Sequence, residues 1–223
     1  MKRQLVQTKD QSATIFVPEL DEHYHSVHGA LAESEHVYIS AGLKALPENL
    51  TEINLLEMGF GTGLNAWLTL RETRDSPKTI RYHAIEKYPL ALAEAESLNY
   101  AQGSDQGDFM ALHRLEWGAW HQLNEAFGIL KENTDLRNFE SSLQYNLIYF
   151  DAFAPSAQPS LWSRAIFEKL YDLMADDGVL VTYCVKGEVR RNMAAAGFAV
   201  EKIPGPPGKR EMARAFKSAQ PSK

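Results

Sequence analysis

Five short apolar runs are strung along this chain with helical stretches between them, and that alternation restricts the fold more than any other feature. The runs are INLLEM (53–58), TIRYHAIE (79–86), FMALHRL (109–115), YNLIYFD (145–151) and GVLVTYCV (178–185). Stretches of helical character, LNAWLTLRETR (64–74), PLALAEAESLNYA (89–101) and SLWSRAIFEKLYDLM (160–174), fall among them. Strands that alternate with helices pair in parallel, because each crossover returns the chain to the same end of the sheet and helices cover both faces. The expected fold class is α/β with a mostly parallel sheet. Two further runs, FAVEKI (198–203) and EMARAFK (211–217), are joined by a proline- and glycine-rich turn too short for a helical crossover. They are expected as an antiparallel pair at one sheet edge.

Residues 1–45 precede the first of these runs and are expected as an extension packed on a core domain spanning 46–223. Within the extension, SATIFVPELDEHYHSVHGALAES should start with a strand pair and pass into a helix near HVYISAGLKAL. The segment NEAFGILKENTDLRNFESS (124–142) is longer than a connection needs and reads as an elaboration ahead of the fourth strand. Hydrophobic residues at 44% and charged residues at 23% suit one packed core. The lone cysteine, Cys184, lies in an apolar run. It can form no intramolecular disulfide or cysteine metal cluster and reads as a small buried hydrophobe in a reducing, cytoplasmic setting. No apolar stretch reaches the roughly 18 residues that cross a bilayer, so no membrane partner is expected.

The formal net charge of −6 speaks against a protein that binds nucleic acid over its whole surface. Distribution matters more than the total. From Lys186 to Lys217 there are eight basic residues against three acidic ones, which is either a solvated surface or a local contact for phosphates.

The turn that follows the first run, in EINLLEMGFGTGLN (52–65), carries Gly59, Gly61 and Gly63. A P-loop would require a Gly-Lys-Ser or Gly-Lys-Thr ending, and none follows Gly63. A dinucleotide fingerprint has its third glycine one residue later than here. What remains is Glu57 ahead of three alternating glycines, a turn that lets backbone approach a ligand and whose carboxylate repels a pyrophosphate but attracts a cation. It suits a positively charged nucleoside without phosphate. Glu86, at the tip of the next run, would open onto the same crevice and accept the two hydrogen bonds of a ribose diol. Together these features point to S-adenosylmethionine as the cofactor; a purely structural turn with a surface Glu86 is the competing reading.

Asp151 ends the run YNLIYFD and is followed by AFAPSAQPSLW, whose prolines stiffen a ledge. It would orient an amine that attacks the sulfonium methyl and take up its proton, with Phe153 and Pro155 giving flat apolar contact; alternatively it caps the helix beyond. Methylases of conjugated exocyclic amines commonly have Pro-Pro-aromatic after the acidic or amide residue here. Asp-Ala-Phe-Ala-Pro fits an aliphatic amine instead. The spacing of HYHSVH could suggest a metal, but nothing else in the sequence completes a ligand set and the imidazoles read as packing or hydrogen-bonding groups.

The segments LLEMGFGTGLN, YFDAFAPSAQPSLW, VKGEVRRNMAAAGF and PGPPGKREMARA, with ELDEHYHSVHGALAES at the front, closely resemble the tRNA 5-methylaminomethyl-2-thiouridine methyltransferases. These comprise the methyltransferase half of the bifunctional MnmC enzymes and the stand-alone MnmD proteins. The resemblance runs over nearly the whole chain. It implies a class I, Rossmann-like S-adenosylmethionine-dependent methyltransferase with a seven-stranded sheet, and transfer of a methyl group to the primary amine of 5-aminomethyl(-2-thio)uridine at the tRNA wobble position. The FAD-dependent domain of the bifunctional relatives is not expected in this chain.

Residue by residue, the resemblance maps Gly59, Phe60, Gly61, Gly63 and Asn65 onto the cofactor turn. It maps Glu86 and Lys87 onto the ribose end, and Asp151 onto the substrate-side carboxylate. Tyr24, His25 and Ser26 would close over the uridine, and Lys209 and Arg210 would meet tRNA phosphates. The sequence departs from the fused relatives in EWGAW (116–120), where Ala119 stands for an acidic residue expected near adenine. A small-molecule amine methyl- or aminopropyltransferase on the same sheet is the main rival; an NAD-linked or nucleotide-sugar enzyme and a catalytically silent tRNA-binding module are the others.

Overall fold

The computed structural model describes residues 2–74 and 76–218. At the front, β1 (Gln4–Gln7), β2 (Ala13–Val17) and β3 (Glu22–His23) form a small antiparallel sheet. The chain then enters α1 (Ala30–Ser34), widens into a π-helical turn over Glu35–Ser40, and closes with a 3-10 turn at Leu43–Ala45. Val37, Tyr38 and Ile39 on that turn are wholly buried and share a core with Leu64 and Leu68, so the extension covers one face of the sheet.

The main sheet begins with β4 (Glu52–Met58), followed by α2 (Leu64–Thr73), β5 (Thr79–Ile85), α3 (Leu92–Glu96) and α4 (Asp105–Arg114). Next come β6 (Trp120–Asn124), β7 (Phe127–Glu132), β8 (Tyr145–Phe150), α5 (Arg164–Leu173), β9 (Met174–Thr182), α6 (Gly187–Ala195), β10 (Ala199–Pro204) and β11 (Glu211–Phe216). The strand order is β10-β11-β9-β8-β4-β5-β7-β6. The five strands from β9 to β7 run parallel, and the expected β10–β11 pair is antiparallel at one edge. Apolar side chains fill both faces of β4 and β8, as buried parallel strands require. In α5, Ile166, Phe167, Leu170 and Leu173 repeat at helical spacing and pack against the face opposite the extension. Among the described residues no helix is long and apolar enough to cross a membrane.

Three expectations need correction. FMALHRL is not a strand but the second half of α4, where Asp105 and Asp108 in the first turn favour a helix start and Phe109, Met110 and Leu112 lie on its buried side. The segment 124–142 is not a mere elaboration, because it contains β7, which pairs in parallel with β5. Among the described residues the sheet has eight strands instead of seven, because β6 adds antiparallel to β7 at the outer edge.

Candidate active site

The strand order reverses between β4 and β8, and their carboxyl ends open a crevice, the usual place for a ligand in a doubly wound sheet. The Asp151 N–H donates to the Met58 carbonyl at 3.1 Å, and the Gly59 N–H to that of Ile85 at 2.9 Å. At Gly59 φ is +92° and a Cβ would stand 2.7 Å from the Asp151 carbonyl oxygen, so only glycine lets the strand ends run this close. At Gly61 φ is +50° and a Cβ would press on the Tyr24 ring at 3.0 Å. A cavity of about 560 Å³ occupies this crevice, within the ~300–1,000 Å³ range of small-molecule sites.

Gly59, Phe60, Gly61, Asn65, Glu86 and Lys87 line the cavity on the cofactor-turn side. The Gly61 N–H donates to Glu86 Oε2 at 3.0 Å and the Tyr88 N–H to Oε1 at 2.7 Å, fixing the carboxylate at the second strand tip. The Lys87 ammonium turns aside to Asp135 at 3.0 Å. On the other side stand Tyr24, His25, Ser26, Asp151, Phe153 and Lys209. Asn65 Nδ2 donates to Asp151 Oδ2 at 2.9 Å. Burial pushes the Asp151 carboxyl up to about 7, against the pull of the neighbouring Tyr38 hydroxyl and Asn65 amide. Tyr24 meets Phe153 edge-on, with ring centroids 5.0 Å apart. His25 shares a 2.6 Å hydrogen bond with Thr62, and burial pulls its pKa down to about 4, so the ring is neutral at pH 7.

Four predicted residues do not line this cavity. Glu57 is wholly buried beside Tyr82 and Asn65, and neither of its oxygens has a hydrogen-bond partner among the described residues. Burial pushes its carboxyl well above the ordinary range, which favours the neutral form and weakens the attraction expected of it. Gly63 instead forms the turn into α2, facing His113 and Phe60. Pro155 faces a smaller cavity with Trp162 and Lys186. Arg210 lies exposed outside the crevice, whereas Lys209 turns inward and pairs with Glu33 at 2.6 Å instead of presenting itself to an external phosphate.

Sequence reasoning also missed several wall residues. Thr134, Asp135, Leu136 and Arg137, on the loop after β7, line the cavity beyond Glu86. None of residues 116–120, where an adenine contact was expected, lines the cavity; that segment leads into the outer strand β6. The signal was FGILKE, whose pattern is broken by Lys131. That side chain is only 1% exposed, donates to the Leu112 carbonyl at 2.6 Å and lies over the Phe60 and Trp117 rings.

The family described as S-adenosyl-L-methionine-dependent methyltransferase matches residues 118–218. That stretch, a little under half of the chain, is what matches the family. The chain is 32% identical over 89% of its length to the tRNA 5-methylaminomethyl-2-thiouridine biosynthesis bifunctional protein MnmC of Cupriavidus metallidurans, and 33% identical over 91% to that of Burkholderia thailandensis. It covers 32% and 33% of those proteins, so the chain spans about a third of the length of the curated relatives it matches. The MNMC2 structure from Aquifex aeolicus shares its fold, with a TM-score of 0.79 at 22% identity, covering all of this chain and 73% of that one. Spermidine synthase from Thermotoga maritima matches at a TM-score of 0.52 and 14% identity, over 96% of this chain and 72% of that one.

The cavity residues fit the cofactor. A fixed carboxylate at the second strand tip suits a diol, and glycines at the first tip leave backbone bare where a Cβ would intrude. Glu86 and Asp151, not Glu57, are the predicted carboxylates that face it.

Proposed function

We propose that this chain is a methyltransferase that acts on the primary amine of 5-aminomethyl(-2-thio)uridine at the tRNA wobble position, giving 5-methylaminomethyl(-2-thio)uridine, in the cytoplasm. The observation that carries the reading is Asp151, held by Asn65 in the crevice between the cofactor turn and the Tyr24–Phe153 pair. The names of the relatives matched over about nine tenths of the chain support the substrate.

When bound, S-adenosylmethionine supplies an electrophilic methyl on a sulfonium. Glu86 would accept the ribose hydroxyls, while the Gly59–Gly61 backbone holds the cofactor against the strand tips. Tyr24 and Phe153 would flank the base and exclude water. An aliphatic ammonium has no free lone pair until it loses a proton, and desolvation in the cavity eases that loss. Asp151 would hold an amine N–H so that the lone pair points at the methyl, and accept the proton released. A carboxyl near pH 7 is matched to that task at neutral pH.

The test is incubation with methyl-labelled S-adenosylmethionine and tRNA lacking the final methyl, followed by nucleoside analysis. Label is expected in 5-methylaminomethyl(-2-thio)uridine. Label on free aliphatic amines with none on tRNA would replace the reading by the small-molecule one. Absence of cofactor binding by folded protein in calorimetry would end both.

A further inference from the structure

We infer that Lys209 and Glu33 together read the base edge of the substrate, Lys209 donating to uracil O4 and Glu33 accepting from N3–H. The inference rests on the function proposed above. Lys209 Nζ lies 2.6 Å from Glu33 Oε1, and both residues line the cavity. The Glu33 side chain is only 8% exposed, and its other oxygen is fixed by the Ser26 N–H at 2.7 Å. Lys209 also rests over the Tyr183 ring at 4.0 Å, and the Tyr183 hydroxyl donates to the Ala152 carbonyl at 2.8 Å, next to Asp151. The wall therefore runs from Asp151 past Tyr183 to Lys209 and then Glu33.

Uracil presents its groups in the same order. The aminomethyl group is on C5, O4 is on the adjacent carbon, and N3–H comes next. With the amine at Asp151, a donor is needed for O4 and an acceptor for N3–H, and Lys209 and Glu33 stand side by side as donor and acceptor. Each carboxylate oxygen keeps a lone pair beyond its present bond, and the ammonium has three donors. Cytosine reverses the pattern, with an amino donor where uracil has O4 and an acceptor at N3, so it would set donor against donor and acceptor against acceptor. Single-stranded RNA bases are commonly read along this edge.

The pair also fastens the β10–β11 turn to the front extension, so the test must separate recognition from fastening. Two synthetic anticodon stem-loops, with 5-aminomethyluridine or 5-aminomethylcytidine at the wobble position, are assayed with wild type, Glu33→Ala and Lys209→Met, the last keeping an apolar stem over Tyr183. Calorimetric cofactor binding confirms that each variant is folded. Wild type is expected to prefer uridine by about 100-fold or more in kcat/KM, because mispaired buried polar groups discriminate strongly. Each variant should drop that ratio by about tenfold or more. If folded variants lose activity equally on both loops and keep the ratio, the pair is only a fastening and the inference fails; a wild type that does not prefer uridine also overturns it. Wild type that methylates neither loop nor whole tRNA lacking the methyl would instead overturn the proposed function. If Glu33→Ala does not fold, Lys209→Met alone decides.

Discussion

Replacing Asp151 by Asn should lower turnover and raise stability, and the gain should grow with pH. In the folded protein the carboxyl titrates at about 7, whereas an unfolded chain loses that proton near about 3.9. Between those values the folded state holds a proton that the unfolded state has released, so stability falls as pH rises, by about 1.4 kcal/mol per pH unit. The full cost is about 4 kcal/mol, reached near pH 7 and constant above it; water at this half-buried side chain screens it toward about 2 kcal/mol. Asn is neutral throughout, and its oxygen can still accept the bond from Asn65 Nδ2. Urea unfolding at pH 5 and pH 8 should show a stability difference between variant and wild type of about 0.7–1.5 kcal/mol at pH 5 and about 2–4 kcal/mol at pH 8, with equal m values. Turnover of the variant should fall about 10²–10⁴-fold with cofactor binding retained. A stability difference that does not change with pH would refute the burial argument, and turnover close to wild type would refute the role.

Wild-type turnover should rise with pH through a midpoint near 7 as Asp151 ionises, and a flat profile from pH 6 to 8 would contradict its part as proton acceptor. Glu86→Ala should weaken cofactor binding by about 10–100-fold in calorimetry, through lost hydrogen bonds to a charged acceptor; unchanged affinity would remove Glu86 from the site. Gly59→Ala should destabilise by about 2–4 kcal/mol in urea, since positive φ and a backbone clash combine there. Burial pulls the Lys131 ammonium down to about 8, so between there and about 10.4 the unfolded chain keeps a proton the folded protein has lost, and stability gains with pH. Lys131→Met should remove that gain between pH 8 and 10, and an identical pH slope in both proteins would count against a buried, depressed lysine.

What could be read from the sequence was what depends on neighbours along the chain. β4, the glycine turn and α2 follow one another, so apolar run, glycines and helix onset are visible in one window. Glu86 and Asp151 ended runs whose register the sheet preserves, which put both at the crevice. β7 escaped because a lysine sits at one of its fully buried positions, where a cation over aromatic rings takes the place of an aliphatic side chain. α4 was misread because a short apolar cluster does not by itself distinguish a buried strand from a helical face. Glu57 illustrates a different limit. Strand alternation determines which way a side chain points, and a single carboxylate in an apolar run gives no sign of whether it meets the crevice or lies beneath the turn.

The two halves of the cavity differ in how they are held, and this has a functional consequence. The cofactor half is built on the tips of adjacent parallel strands, with the Gly61–Glu86 bond tying two neighbouring turns. The substrate half joins chain ends that are remote in sequence: Lys209 reaches Glu33 across 176 positions, and Tyr24 covers Gly61 from the extension. Such long-range contacts close late and open first, because few local interactions hold each partner in place. Changes in the extension or the β10–β11 turn should therefore raise KM for the proposed tRNA substrate while leaving the cofactor Kd within about threefold, whereas changes at the β4 and β5 tips should move both. A Lys209→Met variant that weakened cofactor binding as much as substrate binding would show that the halves form a single cooperative unit.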